Sequence, residues 1–246
     1  MSRTRLAILV LLVFAASSVA QPSFWIALNF EASFQRDGTV VVTAFLHPFS
    51  VEGESLYGNE TIEEAMREGW NATLMDILLM FTNHPSTIKY RVLREFERRD
   101  DAVVYCDVYG YGNFSALKGA YLTSVQVFLN TSEFTSVRGD LVTVMVRDSY
   151  TSRDPRSWID VMRIKYDEGI LVNYSWRPES AEGPVLEAPG LLEWRNIDER
   201  VAPDFYIFIL KLENFTVINP EKGIEAYIQS ISATGDEVIA LSLIHI

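Results

Sequence analysis

Short runs of alternating apolar and polar residues, separated by turn residues, fill most of the chain and constrain its fold more than any other feature. The first run, "FWIALNFEASF", places on one face Phe24, Ile26, Leu28, Phe30 and Phe34. The turn "QRDG" follows, and its Asp-Gly pair tolerates the positive φ that a tight hairpin needs. The run "TVVVTAFLHPF" then returns, rich in β-branched residues. This stretch therefore predicts an N-terminal β-hairpin.

Further strands are predicted along the rest of the chain, because the same alternation recurs between turns that contain Gly, Pro or Asp. Their sequences are "TIKYRVLREFE", "AVVYCDVYGY", "AYLTSVQVFL", "DLVTVMVRDSY", "WIDVMRIKYDEGILVNYSW", "LLEWRN", "DFYIFILKLENF" and "GIEAYIQSIS". Many short strands at such spacing are typical of antiparallel sandwiches. We therefore predict a mainly β fold that is antiparallel and sandwich-like.

One helical insertion near residues 61–83 interrupts the strands and makes the predicted class α+β overall. The motif "TIEE" is a capping box, in which Thr61 caps the Glu64 amide and Glu64 reaches back. Apolar residues then recur at helical spacing, namely Ile62, Ala65, Met66, Trp70, Leu74, Ile77, Leu78 and Phe81. Because Gly69 lies within the run and "TLMD" resembles a second cap, we expect one kinked helix or two short ones.

The N-terminus has the layout of a secretory signal peptide. Arg3 and Arg5 precede an unbroken apolar run from Leu6 to Ala16, and small residues follow it. This order of a basic, an apolar and a small-residue region predicts export and cleavage between Ala20 and Gln21. The apolar run is too short to span a bilayer comfortably, since spanning takes about 20 residues.

The domain organisation predicted for the chain begins with a signal peptide at 1–20 and a β-rich domain at 21–177. Residues 178–190, with the Pro- and Gly-containing sequence "RPESAEGP", form a candidate linker. Residues 191–240 supply further strands that complete the same domain or form a second one.

The last six residues, "LSLIHI" at 241–246, have a separate explanation. The codons CTG-TCT-CTT-ATA-CAC-ATC encode them and match the mosaic-end sequence of a transposase used to prepare sequencing libraries. We therefore expect 241–246 to be adaptor read-through, so that the chain is a C-terminally truncated fragment of a longer protein. The native sequence would continue past Ala240, and a membrane anchor would lie there.

Charge and cysteine content exclude several classes of protein. The net charge of -12 opposes binding to nucleic-acid phosphates or to an anionic lipid surface. Cys106 is the only cysteine, so no intrachain disulfide can form. In "VVYCDVYGY" the alternation places Val104, Cys106 and Val108 on one strand face. We therefore expect Cys106 to be a small buried apolar residue.

N-glycosylation sequons give the strongest surface signal. The pattern N-x-[ST], which marks glycan acceptors on exposed segments of secreted proteins, occurs six times. The asparagines are Asn59, Asn71, Asn113, Asn130, Asn173 and Asn214. Turn-forming residues also co-occur by composition, but six sequons exceed the one or two expected by chance. We predict occupancy at two or more sites, with Asn113 and Asn130 the best candidates because they flank turns.

No catalytic, cofactor-binding or metal-binding residues are indicated by the sequence. His47 and His84 lie on separate segments without metal-type spacing, and each precedes a proline. The acid pairs Asp167-Glu168 and Asp198-Glu199 could serve a glycosidase or a calcium site, but solvated turns explain them better.

Three tyrosines on one strand face are the remaining candidates for binding. Tyr105, Tyr109 and Tyr111 alternate on the side opposite Cys106. Exposed, they could stack on a sugar or a partner; buried, they would form another layer of the core. The sequence favours the core interpretation.

The secretory signal, the sequons, the absence of a disulfide framework and the strand-rich pattern together resemble archaeal secreted or cell-surface glycoprotein ectodomains. This resemblance implies a non-enzymatic, extracellular, glycosylated module with a structural or binding role. Its partner would be a cell-surface protein or a glycan, with no nucleic acid and with a membrane contact only through the missing anchor. The alternative is a secreted carboxylate-dependent polysaccharide hydrolase. The oligomeric state is not indicated.

Overall fold

The computed structural model describes residues 24–109, 111–150, 158–198 and 200–218. The predicted signal peptide with its cleavage position, the predicted strand "GIEAYIQSIS" and residues 241–246 lie outside the described residues. The elements are β1 (Trp25–Phe34), β2 (Thr39–Phe49), α1 (Glu60–Glu68), α2 (Trp70–Leu79), β3 (Tyr90–Cys106), β4 (Ser115–Phe128), β5 (Thr135–Arg138), β6 (Leu141–Arg147), β7 (Val161–Tyr166), β8 (Leu171–Arg177), β9 (Leu186–Ala188), β10 (Leu191–Arg195) and β11 (Phe205–Lys211), with a short 3-10 helix at Leu129–Thr131.

Two sheets organise the fold. The larger has seven strands in the order β3-β4-β2-β1-β7-β10-β9, and the smaller has four in the order β5-β6-β11-β8. The predicted mainly β class with one helical insertion is confirmed. Every pairing between the described strands is antiparallel except that of β1 with β7, which is parallel. Periodicity specifies which residues share a face but not the direction of the neighbouring strand, so the sequence did not predict this pair.

The N-terminal hairpin forms as predicted and supplies the centre of the larger sheet. β1 pairs with β2 from Trp25 opposite Phe49 to Phe34 opposite Val40. At the turn, Gly38 has φ +78, and the carboxylate of Asp37 accepts hydrogen bonds from the Thr39 backbone N–H and hydroxyl. The Asp-Gly pair thus fixes the register of the hairpin.

The main core lies between the two sheets and the helices. It contains the inward-facing residues of the larger sheet, among them Leu28, Phe30, Phe34, Val42, Ile164 and Trp194. The smaller sheet contributes Val142, Val144, Val146, Tyr206, Phe208 and Leu210 to the same cluster. Burial of this shared apolar surface is the largest favourable contribution to folding, so the two sheets form one cooperative unit.

The predicted helical region consists of two short helices that meet at Gly69. Its apolar stripe is buried as expected at Ile62, Met66, Leu74, Ile77, Leu78 and Phe81, whereas Ala65 is exposed. The predicted cap at Thr61 is wrong: α1 begins after Asn59, whose Oδ1 accepts the backbone N–H of Ile62. Asparagine is as good an N-cap as serine or threonine, so the helix can begin at the earlier position. Neither described helix, of nine and ten residues, is long and apolar enough to cross a membrane.

A second, smaller core lies on the outer face of the larger sheet, because the end of the long β3–β4 hairpin folds back over that face. Val104 and Cys106 pack there against Ala27 and Leu122. The side chain of Asn29 fastens the fold-back to β1: its Nδ2 donates to the Tyr105 carbonyl at 2.7 Å, and its Oδ1 accepts the Tyr105 N–H at 2.8 Å. Cys106 is 2% exposed, so the prediction that it is buried is confirmed.

Residues 178–190, the candidate linker, form hydrogen bonds with the rest of the fold. The indole N–H of Trp176 donates to the Ala181 carbonyl at 2.9 Å, and the Glu182 N–H donates to the Val201 carbonyl at 3.0 Å. The same segment supplies β9, which pairs with β10. It therefore carries the chain from the smaller sheet to the larger one, and β10 and β11 then join the larger and the smaller sheet respectively.

Candidate binding surface

The loop between β3 and β4 presents two exposed tyrosines. Tyr109 is 62% exposed and Tyr111 is 82% exposed, whereas Tyr105 is half-buried. The prediction that all three form a layer of the core is therefore wrong for Tyr109 and Tyr111. The physical reason is that β3 ends at Cys106, so the alternation that would have turned them inward does not continue.

Asp107 holds this loop in shape. Its carboxylate accepts hydrogen bonds from the backbone N–H groups of Tyr111, at 3.1 Å, and of Gly112. An aspartate that bonds to backbone groups a few residues ahead stabilises a turn in the same way that an N-cap stabilises a helix. Asp107 therefore ties the backbone of Tyr111 and Gly112 to the end of β3, and the Tyr111 side chain is exposed beside these hydrogen bonds.

Gly53, in the loop that follows β2, lies directly beneath Val108 and Tyr109. Its φ is +85, and a Cβ built on it would come within 2.6 Å of the Val108 side chain and 2.8 Å of the Tyr109 ring. Only glycine allows this approach, so one edge of the Tyr109 ring rests on backbone while 62% of the residue stays exposed.

Further exposed apolar residues come from the neighbouring segments. Trp25 is 45% exposed and lies opposite Phe49 in the β1–β2 pair, while Val51 is 63% exposed. Phe49 and Val108 pack against the same outer core, which brings these segments together. We refer to Trp25, Val51, Tyr109 and Tyr111 together as the aromatic surface.

Two arginines border the neighbouring aromatic rings. The guanidinium carbons of Arg163 and Arg195 each lie 5.6 Å from the centre of the Tyr105 ring. Both arginines also donate to Glu193 at 2.7 Å. Burial alone would raise the pKa of Glu193, but the hydrogen bonds from Arg163 and Arg195 outweigh it and the pKa is lowered. Glu193 therefore stays ionised and fixes both cations.

The two described histidines have structural partners. His47 is fully buried, with Nδ1 at 2.8 Å from the Gly119 carbonyl and Nε2 at 2.9 Å from the Ser55 hydroxyl. Its pKa is lowered because burial disfavours the charged ring, and the hydrogen bond to the Gly119 carbonyl offsets this lowering only in part. His47 is therefore a neutral residue that joins β2 to the following loop.

His84 is oriented by a carboxylate, a relation that the sequence did not reveal because the two residues are 49 positions apart. Its Nδ1 lies 2.6 Å from Oε1 of Glu133, which is buried and also accepts the Asn83 N–H. In catalytic triads such a base also contacts a nucleophile. Among the described residues, no hydroxyl or thiol is hydrogen-bonded to the other nitrogen of His84.

The described members of the acid pairs considered for a hydrolase lie outside the strands and helices. Asp167 faces Arg36 at 3.6 Å. Asp198 accepts hydrogen bonds from the backbone and guanidinium of Arg200; the guanidinium bond is the main cause of its lowered pKa. Glu199 lies outside the described residues. Within the described ranges, no group of three or more His, Cys, Asp or Glu residues could hold a metal ion.

Five of the six sequon asparagines are exposed: Asn59, Asn71, Asn113, Asn173 and Asn214. Asn130 differs because it is half-buried in the 3-10 turn, and its Oδ1 is buried without a partner in the described chain. The hydroxyl of its sequon, on Ser132, is 2% exposed and donates to the Phe81 carbonyl at 2.7 Å. The accessibility on which the glycosylation prediction depends is thus present at Asn113 and much reduced at Asn130.

Comparison with known proteins adds little to the description of this chain. No protein-family model and no curated protein matches the sequence. Among solved structures, the chain is similar to the folded domain of Mycobacterium tuberculosis LppM determined by NMR, with a TM-score of 0.32 and 10% sequence identity. The match covers 83% of this chain and 98% of that domain. At this level of similarity, no property of LppM carries over to this chain.

Proposed function

We propose that this chain is an exported, N-glycosylated and non-enzymatic domain of a cell surface, of the archaeal type that its sequence resembles, and that it binds carbohydrate through the aromatic surface. Export rests on the N-terminal sequence and glycosylation on the sequons. The observation that carries the binding role is the exposure of Tyr109 and of Tyr111, whose backbone N–H is hydrogen-bonded to Asp107.

Two exposed aromatic rings beside hydrogen-bonded backbone are suited to binding. Aromatic side chains left in water forgo the gain from burying their apolar area, so a cluster of them marks an interaction site more often than scattered apolar residues do. Tyrosine combines a flat apolar face with a hydroxyl that forms hydrogen bonds. Because Asp107 and Gly53 already hold the loop, little conformational entropy is lost when a ligand binds.

The size and charge of the surface favour a sugar over a macromolecular partner. A standard protein interface buries about 800 Å² on each side, far more than the four side chains of the aromatic surface provide. The net charge of -12 opposes acidic polymers and nucleic acids. A neutral sugar ring, with an apolar face to stack on tyrosine and hydroxyls at its rim, fits both constraints.

Binding of neutral polysaccharides and oligosaccharides to the secreted full chain tests this proposal. The informative variant is Tyr111→Ala, and its matched control is Tyr90→Ala, which removes a tyrosine that is 40% exposed on the edge strand β3. One stacking contact of about 0.5–1.5 kcal/mol predicts a loss of affinity of roughly 2- to 13-fold in Tyr111→Ala. No change is expected in the control.

Two results would overturn the carbohydrate role. One is that no neutral glycan binds to the wild-type protein. The other is equal affinity of Tyr111→Ala and wild type for a glycan that does bind. Because Tyr111 is 82% exposed, its replacement should leave the melting temperature unchanged, so a loss of binding would not be explained by unfolding.

A further inference from the structure

Among the described strands, each sheet ends in two edge strands, and the four edges are protected to different degrees. The larger sheet ends in β3 and β9, and the smaller in β5 and β8. An edge strand presents unpaired backbone N–H and C=O groups that can pair with another chain. Soluble proteins counter this with charged residues, bulges or very short strands.

Three of the edges carry these protective features. β3 contains the charge-rich sequence "REFERRDD", and its pairing with β4 is interrupted by three register shifts. β5 and β9 are only four and three residues long. A second strand would therefore find little regular backbone to pair with at these three edges, and charged side chains would surround it at β3.

β8 is the exception. It has seven residues, "LVNYSWR", and its only charged side chain is that of the last residue, Arg177. One bulge lies at Val172, which is 55% exposed, and the pairing with β11 is unbroken from Asn173 to Arg177. Within the described part of the chain, the four residues from Asn173 to Trp176 thus lie in regular register at a sheet edge without a charged side chain of their own, and the Trp176 carbonyl accepts a hydrogen bond from Nη1 of Arg177 at 2.8 Å.

A sequon lies at the start of this regular stretch. Asn173 is exposed, and its Oδ1 accepts the backbone N–H of Tyr174 at 2.8 Å. A backbone N–H that bonds to a side chain of its own strand belongs to the row that faces away from β11. The side chain of Asn173 therefore occupies one of the free groups of the edge and leaves its Nδ2, the atom to which glycans attach, without a hydrogen bond in the described chain.

We propose that an N-glycan on Asn173 protects the β8 edge and keeps the domain monomeric. This inference rests on the proposed glycosylation of the exported chain. In the modification step, Nδ2 forms a bond to C1 of a sugar carried on a lipid phosphate donor, loses one proton and displaces the lipid phosphate. Oδ1 takes no part in that bond, so its hydrogen bond to Tyr174 persists after modification.

The glycan excludes a second strand because it is bulky, hydrated and attached at the edge itself. Without it, the β8 strands of two copies can pair antiparallel about a two-fold axis and join two four-stranded sheets into one. The net charge of -12 on each copy opposes this association, and salt that screens the charge should favour it.

The test uses the full chain secreted from a host that N-glycosylates exported proteins. Glycopeptide mass spectrometry measures occupancy at Asn173, and light scattering after size exclusion measures the molecular mass over a wide range of protein and salt concentrations. Ser175→Ala destroys the sequon while keeping the Asn173 side chain, and Ser175→Thr preserves the sequon as its matched control. Asn113→Gln removes a sequon in the loop between β3 and β4.

Wild type, Ser175→Thr and Asn113→Gln should be monomers with Asn173 occupied. Ser175→Ala should reach about twice the monomer mass as protein and salt concentrations rise. Adding Val172→Lys to Ser175→Ala should restore the monomer, because a charge at the edge replaces the glycan.

An unmodified Asn173 in the wild type, a monomeric Ser175→Ala variant, or association that Val172→Lys does not reverse would each overturn the inference. Occupancy at other sequons but not at Asn173 would do so while leaving the proposed function intact. A finding that Tyr111 does not contribute to carbohydrate binding would, in contrast, contradict the proposed function and leave the inference about the β8 edge unaffected.

Discussion

Replacing Asn29 by alanine is expected to release the end of the β3–β4 hairpin without unfolding the rest of the chain. Asn29 is 1% exposed and supplies both hydrogen bonds that hold the Tyr105 backbone to β1. Each bond contributes about 1 kcal/mol net, so their joint loss lowers the free energy of opening this segment by roughly 2 kcal/mol. The corresponding increase in the open population is roughly 30-fold.

Cys106 provides the assay, because it is the only cysteine and follows Tyr105 directly. Burial, reinforced by the nearby negative charges of Asp160 and Asp107, raises the pKa of its thiol well above the usual range. In the closed state it should hardly react with a thiol reagent, so the labelling rate under native conditions reports local opening. We expect labelling of Asn29→Ala to be about 30 times faster than that of wild type.

Asn196→Ala is the matched control. Asn196 is also 1% exposed, and its amide nitrogen donates to the Ile159 carbonyl at 2.6 Å and to the Tyr206 hydroxyl at 3.2 Å, away from the fold-back. Its loss should lower global stability in chemical denaturation without a separate fast labelling phase. If both variants label in proportion to their global loss of stability, or if Asn29→Ala labels at the wild-type rate, the fold-back is not a locally opening unit.

Three further predictions address stability and modification. Leu78→Asp should lower the free energy of unfolding by about 3–5 kcal/mol, because it buries an unpaired charge in the main core. Met75→Asp, at a position 37% exposed on the same helix, should change this free energy little. Similar melting temperatures for the two variants would show that the apolar stripe of the helices is not part of the core. Burial is the main cause of the raised pKa of Asp160, so the contribution of this residue to stability is lost as pH rises through that pKa. In denaturation curves, the stability of Asp160→Asn relative to wild type should therefore increase with pH. A difference in unfolding free energy between the two proteins that stays constant with pH would refute this. Intact-mass analysis of the secreted protein should show at least two glycans, with Asn113 occupied and Asn130 modified only where the transfer precedes folding; a single species at the polypeptide mass would contradict the prediction.

Much of the local structure followed from the sequence, because it depends on neighbours in the chain. The hairpin turn at Asp37-Gly38 needs only residues that tolerate positive φ, and the helical stripe through Leu78 needs only spacing. Burial of Cys106 also followed from alternation. The choice of Asn59 over Thr61 as helix cap did not, since both residue types are good N-caps and the pattern of apolar residues does not distinguish positions so close together.

The features that define the candidate surface depend on contacts between distant residues. Tyr111 is exposed because β3 ends at Cys106, and that end is set where Asn29 captures the Tyr105 backbone across 76 positions. The pairing of His84 with Glu133 likewise joins separate segments. Periodicity within one segment cannot reveal contacts between distant segments, so the sequence favoured a buried layer of tyrosines.

The parallel pairing of β1 with β7 determines the order in which the larger sheet can be completed. β1 and β2 are synthesised early, but the other side of β1 is filled only by β7, which lies about 130 positions further along, as in the bond between Leu28 and Asp160 at a separation of 132. Until then, the most central strand of the finished sheet has an open side on the nascent chain, and closing so long a loop is slow. The chain is therefore most prone to misassociate while residues 50–160 are being made, and a ribosome stalled within that interval would display β1 as a template for strand pairing.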